Sequence, residues 1–155
     1  MKRWRIVALK QGQIVQSVEV STIAHATDDL DKIQVALTHL FPDSLKGRQL
    51  FTRRYFEGHH GNPIVTFEAH LTEARDVDEF KDFFLKQLSA VDKMSIAKDL
   101  DRHTDDDGNL YIRIDKQRMS RGTARLGQDD PIRIRMKFTR FTGKPTQLMI
   151  EYLET

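Results

Sequence analysis

Arg133, Arg135 and Lys137 alternate with Ile132, Ile134, Met136 and Phe138 between Pro131 and Phe141. Successive side chains of a strand point to opposite faces, so this spacing predicts one buried face and one cationic face. The surrounding block, residues 110–145, holds ten Lys and Arg against three acids, a net +7 in a chain whose formal net charge is +2. Cations gathered on one face suit a polyanion, which they attract at long range and from which they displace counterions on contact. In the preceding segment Leu110, Ile112 and Ile114 alternate with Tyr111, Arg113 and Asp115, which adds a ring and a guanidinium to the same surface. Tyr111 reads either as a stacking ring among phosphate contacts or as plain cover for the sheet.

A second group sits in Glu57-Gly58-His59-His60-Gly61-Asn62-Pro63. Two imidazoles, the Asn62 amide and backbone donors exposed by glycine suit a phosphate or a base edge, although a hairpin bend alone also accounts for the glycines. His59 and His60, adjacent on an extended chain, are expected to point apart, and no HxH or HxxxH spacing completes a metal site. Asp105-Asp106-Asp107-Gly108-Asn109 clusters oxygens beside a glycine, but with Gly108 as the sixth residue of a calcium loop the first ligand is His103 and the twelfth Ile114. An acidic turn between helix and strand is the better account. Gly122-Thr123-Ala124-Arg125-Leu126-Gly127 lacks the Lys-Ser/Thr ending of a phosphate loop, GxSxG and HExxH are absent, and pairs such as Asp78-Glu79 read as solvated helix faces. The expectation is a chain with no catalytic residue, no metal and no cofactor.

The elements that must position these groups follow from periodicity. Trp4–Leu9 reads as a strand turning at Gln11-Gly12-Gln13 into a longer strand, Ile14 to about Ala26, where Val18, Val20, Thr22 and Ala24 share a face. Thr27 is the expected cap of a helix carrying Leu30, Ile33, Leu37 and Leu40 and ended by Pro42. Gln49–Phe56 and Ile64–Leu71 read as a hairpin around the His-His loop. Phe80, Phe83, Phe84 and Leu88 form a helical stripe from Val77, and Asp92 is the expected cap of a further helix with Met94, Ala97 and Leu100. Lys116–Leu126 is ambiguous, leaving Arg118, Arg121 and Arg125 on no definite face, and the segment after Pro145 reads as helix. Strand pairs mixed with helices predict an α+β, two-layer sandwich: a mainly antiparallel sheet with helices packed on one face and the basic positions on the other.

Size and composition agree. A chain of 155 residues is expected to form a single domain, residues 1–155, burying roughly 70% of the surface of its unfolded form. It has no cysteine, which removes thiol chemistry and disulfides and suits a cytoplasmic location. No apolar run approaches a membrane span, and the short apolar stretch after Met1-Lys2-Arg3 has no cleavage site behind it. Residues 72–109 carry a net −5 beside the +7 block, so charge is segregated along the chain.

Glu57-Gly58-His59-His60-Gly61-Asn62-Pro63-Ile64, the run from Asp107 to Gln117, and Ala24-His25-Ala26-Thr27 together resemble an archaeal family of RNA-binding proteins described as predicted exosome subunits. The resemblance runs from about Val18 to Leu153. It implies a fold similar to the large-subunit ribosomal protein that binds 5S RNA, and a link to RNA processing or degradation, with exosome or ribosome-related proteins as partners. It carries His59, His60, Asn62, Arg113, Lys116 and Gln117 over as RNA contacts, while Tyr111, Arg133, Arg135 and Lys137 come from the strand periodicity. Residues 1–13 look like an addition to the family pattern. Two functions stay open: an RNA-binding module, and an adaptor whose basic face docks on an acidic protein of an RNA-processing complex.

Overall fold

A computed structural model describes residues 14–139 and 145–155. The expected strand Trp4–Leu9, its hairpin with the next strand, and the cations Arg140 and Lys144 lie outside the described residues. Five strands form one antiparallel sheet: β1 (Val15–Ala24), β2 (Phe51–Glu57), β3 (Pro63–Leu71), β4 (Asn109–Ile114) and β5 (Ile132–Phe138), in the order β2-β3-β1-β5-β4. The helices are α1 (Leu30–His39), α2 (Ala74–Gln87), α3 (Ala90–Lys98), α4 (Lys116–Ser120) and α5 (Pro145–Glu154), with one 3-10 turn at Leu100–His103. The architecture is the expected α+β arrangement.

Alternation explains why the helices cover one face. In β1 Val18, Val20, Thr22 and Ala24 are buried, and in β5 so are Ile132, Ile134, Met136 and Phe138. Register sets Val20 between Ala69 of β3 and Ile134 of β5, so the apolar members of three strands fall on one side. Phe80 and Phe84, one turn apart on α2, stack at 5.7 Å and are fully buried there with Phe41 and Phe67. Burial of the Thr22 hydroxyl is compensated by its hydrogen bond to the Pro131 carbonyl at 3.1 Å. Edge strand β2 is mostly exposed, and Arg53 on its inner face covers Phe67 with its guanidinium 4.9 Å from the ring centre.

The caps differ from the expectations for a local reason. Asp28 accepts from the His25 N–H at 2.8 Å and closes a turn, so α1 starts later and Asp29, not Thr27, caps it by accepting from Asp31 N. Ser89, not Asp92, caps α3, accepting from the Asp92 N–H at 3.1 Å. Asp92 is instead buried and receives Arg125 Nε and the Leu126 N–H. With Asp92 and Ile96 turned inward, Met94 is 70% exposed and lies off the core stripe. Lys116–Leu126 resolves into the short helix α4, capped by Asp115, and a segment that returns along the outer edge of β4. There Asp115 N donates to Arg125 O at 2.8 Å and Gly127 N to Arg113 O at 3.1 Å. This covers the unpaired edge of β4 and ties down the backbone of Arg113.

Gly127 passes so close to Asp115 that an added Cβ would lie 2.9 Å from the Asp115 Cα. Gly127→Ala is therefore expected to cost about 1–3 kcal/mol, the usual range for forcing an extra carbon into a packed site, measured by urea denaturation.

Candidate nucleic-acid interface

Directly paired residues of adjacent strands share a face, so the register arranges the uncovered side of the sheet in rows. One row runs His70, Glu19, Arg135, Tyr111 across β3, β1, β5 and β4. The next runs Glu68, Ser21, Arg133, Arg113, and beyond the first lie Ser17, Lys137 and Asn109. The strand alternation thus brings four predicted cations, Arg113, Arg133, Arg135 and Lys137, onto one patch beside Tyr111.

Their environments differ. Arg135 Nη2 donates to Glu19 Oε2 at 2.6 Å, so part of its charge is answered within the sheet. Arg133 and Arg113 face each other across β5 and β4, and neither has a carboxylate partner among the described residues. Like charges directly opposite are unfavourable unless an anion lies between them. They border a groove of about 260 Å³ with Tyr111 and Glu19, and a second groove of about 350 Å³ continues from Arg133 past Ser21 to Thr66. The buried Thr66 Oγ1 and Asn109 Oδ1, both on this side of the sheet, have no hydrogen-bond partner among the described residues.

Tyr111 is half-buried, and its hydroxyl donates to Asp105 Oδ2 at 2.9 Å. That bond raises the pKa of the phenol. Burial pushes the Asp105 carboxyl up, but hydrogen bonds from Asn109, Tyr111 and Asp107 outweigh it and bring the carboxyl down to about 2. The acidic turn therefore serves as a clamp on the start of β4.

Lys116 stands apart from the patch. Its side chain is 9% exposed, and Nζ lies 2.6 Å from Ile23 O, 2.8 Å from Asp130 Oδ2 and 3.8 Å from Asp28 Oδ2. The ammonium ties the end of β1 to the loop before β5, a structural role the sequence did not reveal. His25, Asp28 and Asp130 are the only group among the described residues with ligand atoms close enough to hold a metal, and Lys116 already supplies positive charge to both carboxylates. Gln117 is exposed beside α1, in the helical layer rather than on the sheet. Arg118 and Arg121 are exposed at α4 in that same layer, while Arg125 pairs with Asp92 at 3.2 Å. Asp28, Asp29 and Asp31 follow the end of β1 and Asp105–Asp107 precede the start of β4, so register puts the two acidic groups at opposite ends of the sheet.

In the β2–β3 loop the Gly58 N–H donates to Asn62 O at 2.6 Å and the Gly61 N–H to Gly58 O at 2.9 Å. These two donors are consumed by the turn, contrary to the expectation that glycine leaves them exposed. The Asn62 side chain packs on Gly58, where a Cβ would meet its Oδ1 at 2.6 Å. His59 and His60 are both exposed, but their rings meet edge to face at 5.2 Å instead of diverging, because the chain turns here rather than running extended. Two open-face groups escaped the sequence reading: Arg54 and Phe56 of β2, opposite Thr66 and Ile64. The available signal was their shared parity with Thr52, obscured by the adjacent Tyr55.

A family model described as RNA binding matches residues 17–138. The chain is 30% identical over 130 residues to RNA-binding protein PAB1135 of Pyrococcus abyssi, spanning 83% of this chain and 84% of that protein. Among solved structures, protein AF2318 from Archaeglobus fulgidus is similar with a TM-score of 0.74 and 28% identity, covering 90% of this chain and 97% of that one. Protein SSO0741 from Sulfolobus solfataricus, at 22% identity and a TM-score of 0.73, shares the fold over 89% of this chain and 97% of its own.

Lys116→Met would leave Asp28 and Asp130 without the ammonium they share, and a loss of about 2 kcal/mol in unfolding free energy is expected by denaturant titration. The Asp105 carboxyl is held below its ordinary value in the folded state, so its contribution is complete above about pH 4 and lost as pH falls toward 2. Asp105→Asn should accordingly lower the denaturation midpoint at pH 7, with the difference from the parent protein disappearing near pH 2.

Proposed function

The chain belongs to the family described as RNA binding, and on that premise we propose that it is a non-catalytic RNA-binding protein contacting phosphates through its basic sheet face. The observation that carries this reading is the Arg113–Arg133 pair, two arginines directly opposite in the register of β4 and β5, bordering one groove and without a carboxylate partner among the described residues. An incoming phosphate relieves their repulsion and accepts hydrogen bonds from both, which turns a local cost of the apo protein into affinity. Arg135 and Lys137 extend the positive strip by two rows on the same face. His59 and His60 lie at the end of the sheet nearer the Arg113–Arg133 row, as a further contact for a longer ligand. A role in RNA processing or degradation, with exosome or ribosome-related partners, is part of the proposal and rests on the family resemblance.

A second reading, a protein-interaction subunit of an RNA-processing complex, is favoured by a separate feature of the helical layer. Val91 and Met94 are 71% and 70% exposed beside Leu153, along a groove of about 660 Å³. A stoichiometric protein partner retained after nuclease treatment would favour it.

The deciding experiment is fluorescence anisotropy of nuclease-treated protein with labelled single-stranded RNA, hairpin RNA and matched DNA across a salt series. Four phosphate contacts on a single strand give an expected log–log slope of about −3, at ~0.7 per contact. Arg133→Glu with Lys137→Glu should weaken binding at least tenfold at low salt without unfolding the domain, since both side chains are exposed. Arg135 is left intact in this variant because a glutamate there would oppose Glu19. Unchanged affinity in the double variant would overturn the assignment of the surface.

A further inference from the structure

Resting on the RNA-binding reading, we propose that Phe56 is the stacking platform for one unpaired base of the RNA whose phosphates lie along Arg133 and Arg113, which makes the ligand single-stranded over that stretch. Phe56 is paired with Ile64 near the projecting end of the β2–β3 hairpin, and its residue is 53% exposed. Because Thr52, Arg54 and Phe56 share parity and pair with Glu68, Thr66 and Ile64, the ring stands on the same open face as the cations.

The surface between them changes character in a definite order. From the Arg113–Arg133 pair the face passes to Ser21, then to Ile23, which is 39% exposed and paired with Thr66, and then to Ile64 and Phe56. The groove shared by Arg133, Ser21, Ile23 and Thr66, which Glu68 and Asp130 also line, covers this path as far as Thr66, whose Oγ1 has no hydrogen-bond partner among the described residues. Three strand spacings and four residues of strand rise separate Arg133 from Phe56, roughly 20 Å in all. That distance suits a few nucleotides of extended strand, with phosphates at one end and an exposed base at the other. In an A-form duplex the base faces are stacked and out of reach of a lone ring, so only an unpaired segment engages both ends of the path.

Among the described residues, the accessible tyrosine rings of Tyr111 and Tyr55 fit less well. Tyr111 has its hydroxyl bound to Asp105 and its ring half-buried among Arg135 and Arg113. Tyr55 is more exposed than Phe56, at 69%, but it pairs with Val65 and belongs to the side of the sheet that carries the helices. It is therefore an internal control, at least as exposed and opposite in face.

The test compares the parent protein, Phe56→Ala, Phe56→Trp and Tyr55→Ala by anisotropy on a single-stranded RNA of about twelve nucleotides and on a blunt duplex with the same number of phosphates. Expected are a loss of about tenfold or more for Phe56→Ala on the single strand, an unchanged salt slope, unchanged duplex affinity, and retention of affinity by Phe56→Trp and Tyr55→Ala. Parent-like affinity of Phe56→Ala for the single strand, an equal loss on both ligands, or a matching loss in Tyr55→Ala would each overturn the stacking role, while salt-dependent binding by the parent leaves the RNA-binding reading standing. If the parent binds neither ligand, the reading beneath this inference fails, and the inference fails with it.

Discussion

The two-residue period of a strand is the constraint on which the rest of this structure depends. In β5 the apolar side chains Ile132, Ile134, Met136 and Phe138 are all buried against the helical layer. Arg133, Arg135 and Lys137 have no choice but the opposite face, because a shift of one residue would drive three cations into the core and expose four apolar groups. The hydrophobic free energy of β5 therefore also holds the charged face in place. β1 transmits the same constraint sideways. Its buried Val18 and Val20 lie between β3 and β5, so the polar positions Glu19 and Ser21 fall in the same rows as Arg135 and Arg133.

Concentrating positive charge in one stretch of the chain has a cost, and the fold offsets it unevenly. Glu19 answers Arg135, Asp92 answers Arg125, and Asp130 with Asp28 answers Lys116. Those pairs stabilise particular joins: strand to strand, helix to the β4 edge, and the end of β1 to the approach to β5. Arg113 and Arg133 receive no such partner among the described residues, although Glu19 stands one row away. The paired cations join elements of the fold, whereas Arg113 and Arg133 make no such join.

The supports of that open pair are rigid and mostly remote in sequence. The backbone of Arg113 is held on one side by β5 and on the other by the returning segment at Gly127. The Asp105 turn clamps the start of β4 through Asn109 and Tyr111. These contacts fix the backbone from which Arg113 projects, so less main-chain freedom remains there than in an unsupported loop.

The sequence by itself determined what is local. The alternation in Val18–Ala24 and Ile132–Phe138, the helical stripe of Phe80 and Phe84, the turn at Asp105–Asn109, and hence the α+β class and the cationic side of β5 are consequences of side-chain period, which needs no knowledge of partners. Caps were less legible, since Thr27 against Asp29 and Asp92 against Ser89 differ only in how neighbouring turns compete for the same N–H groups. Tertiary structure decided everything that depends on adjacency. That β5 lies between β1 and β4, which sets Arg133 against Arg113, that Lys116 is buried beneath Asp130, and that Phe56 shares a face with these cations all follow from strand order and register. The physical reason is that pairing joins residues as far apart as Glu19 and Arg135, and such contacts are chosen by the packing of the whole core rather than by the preferences of either segment.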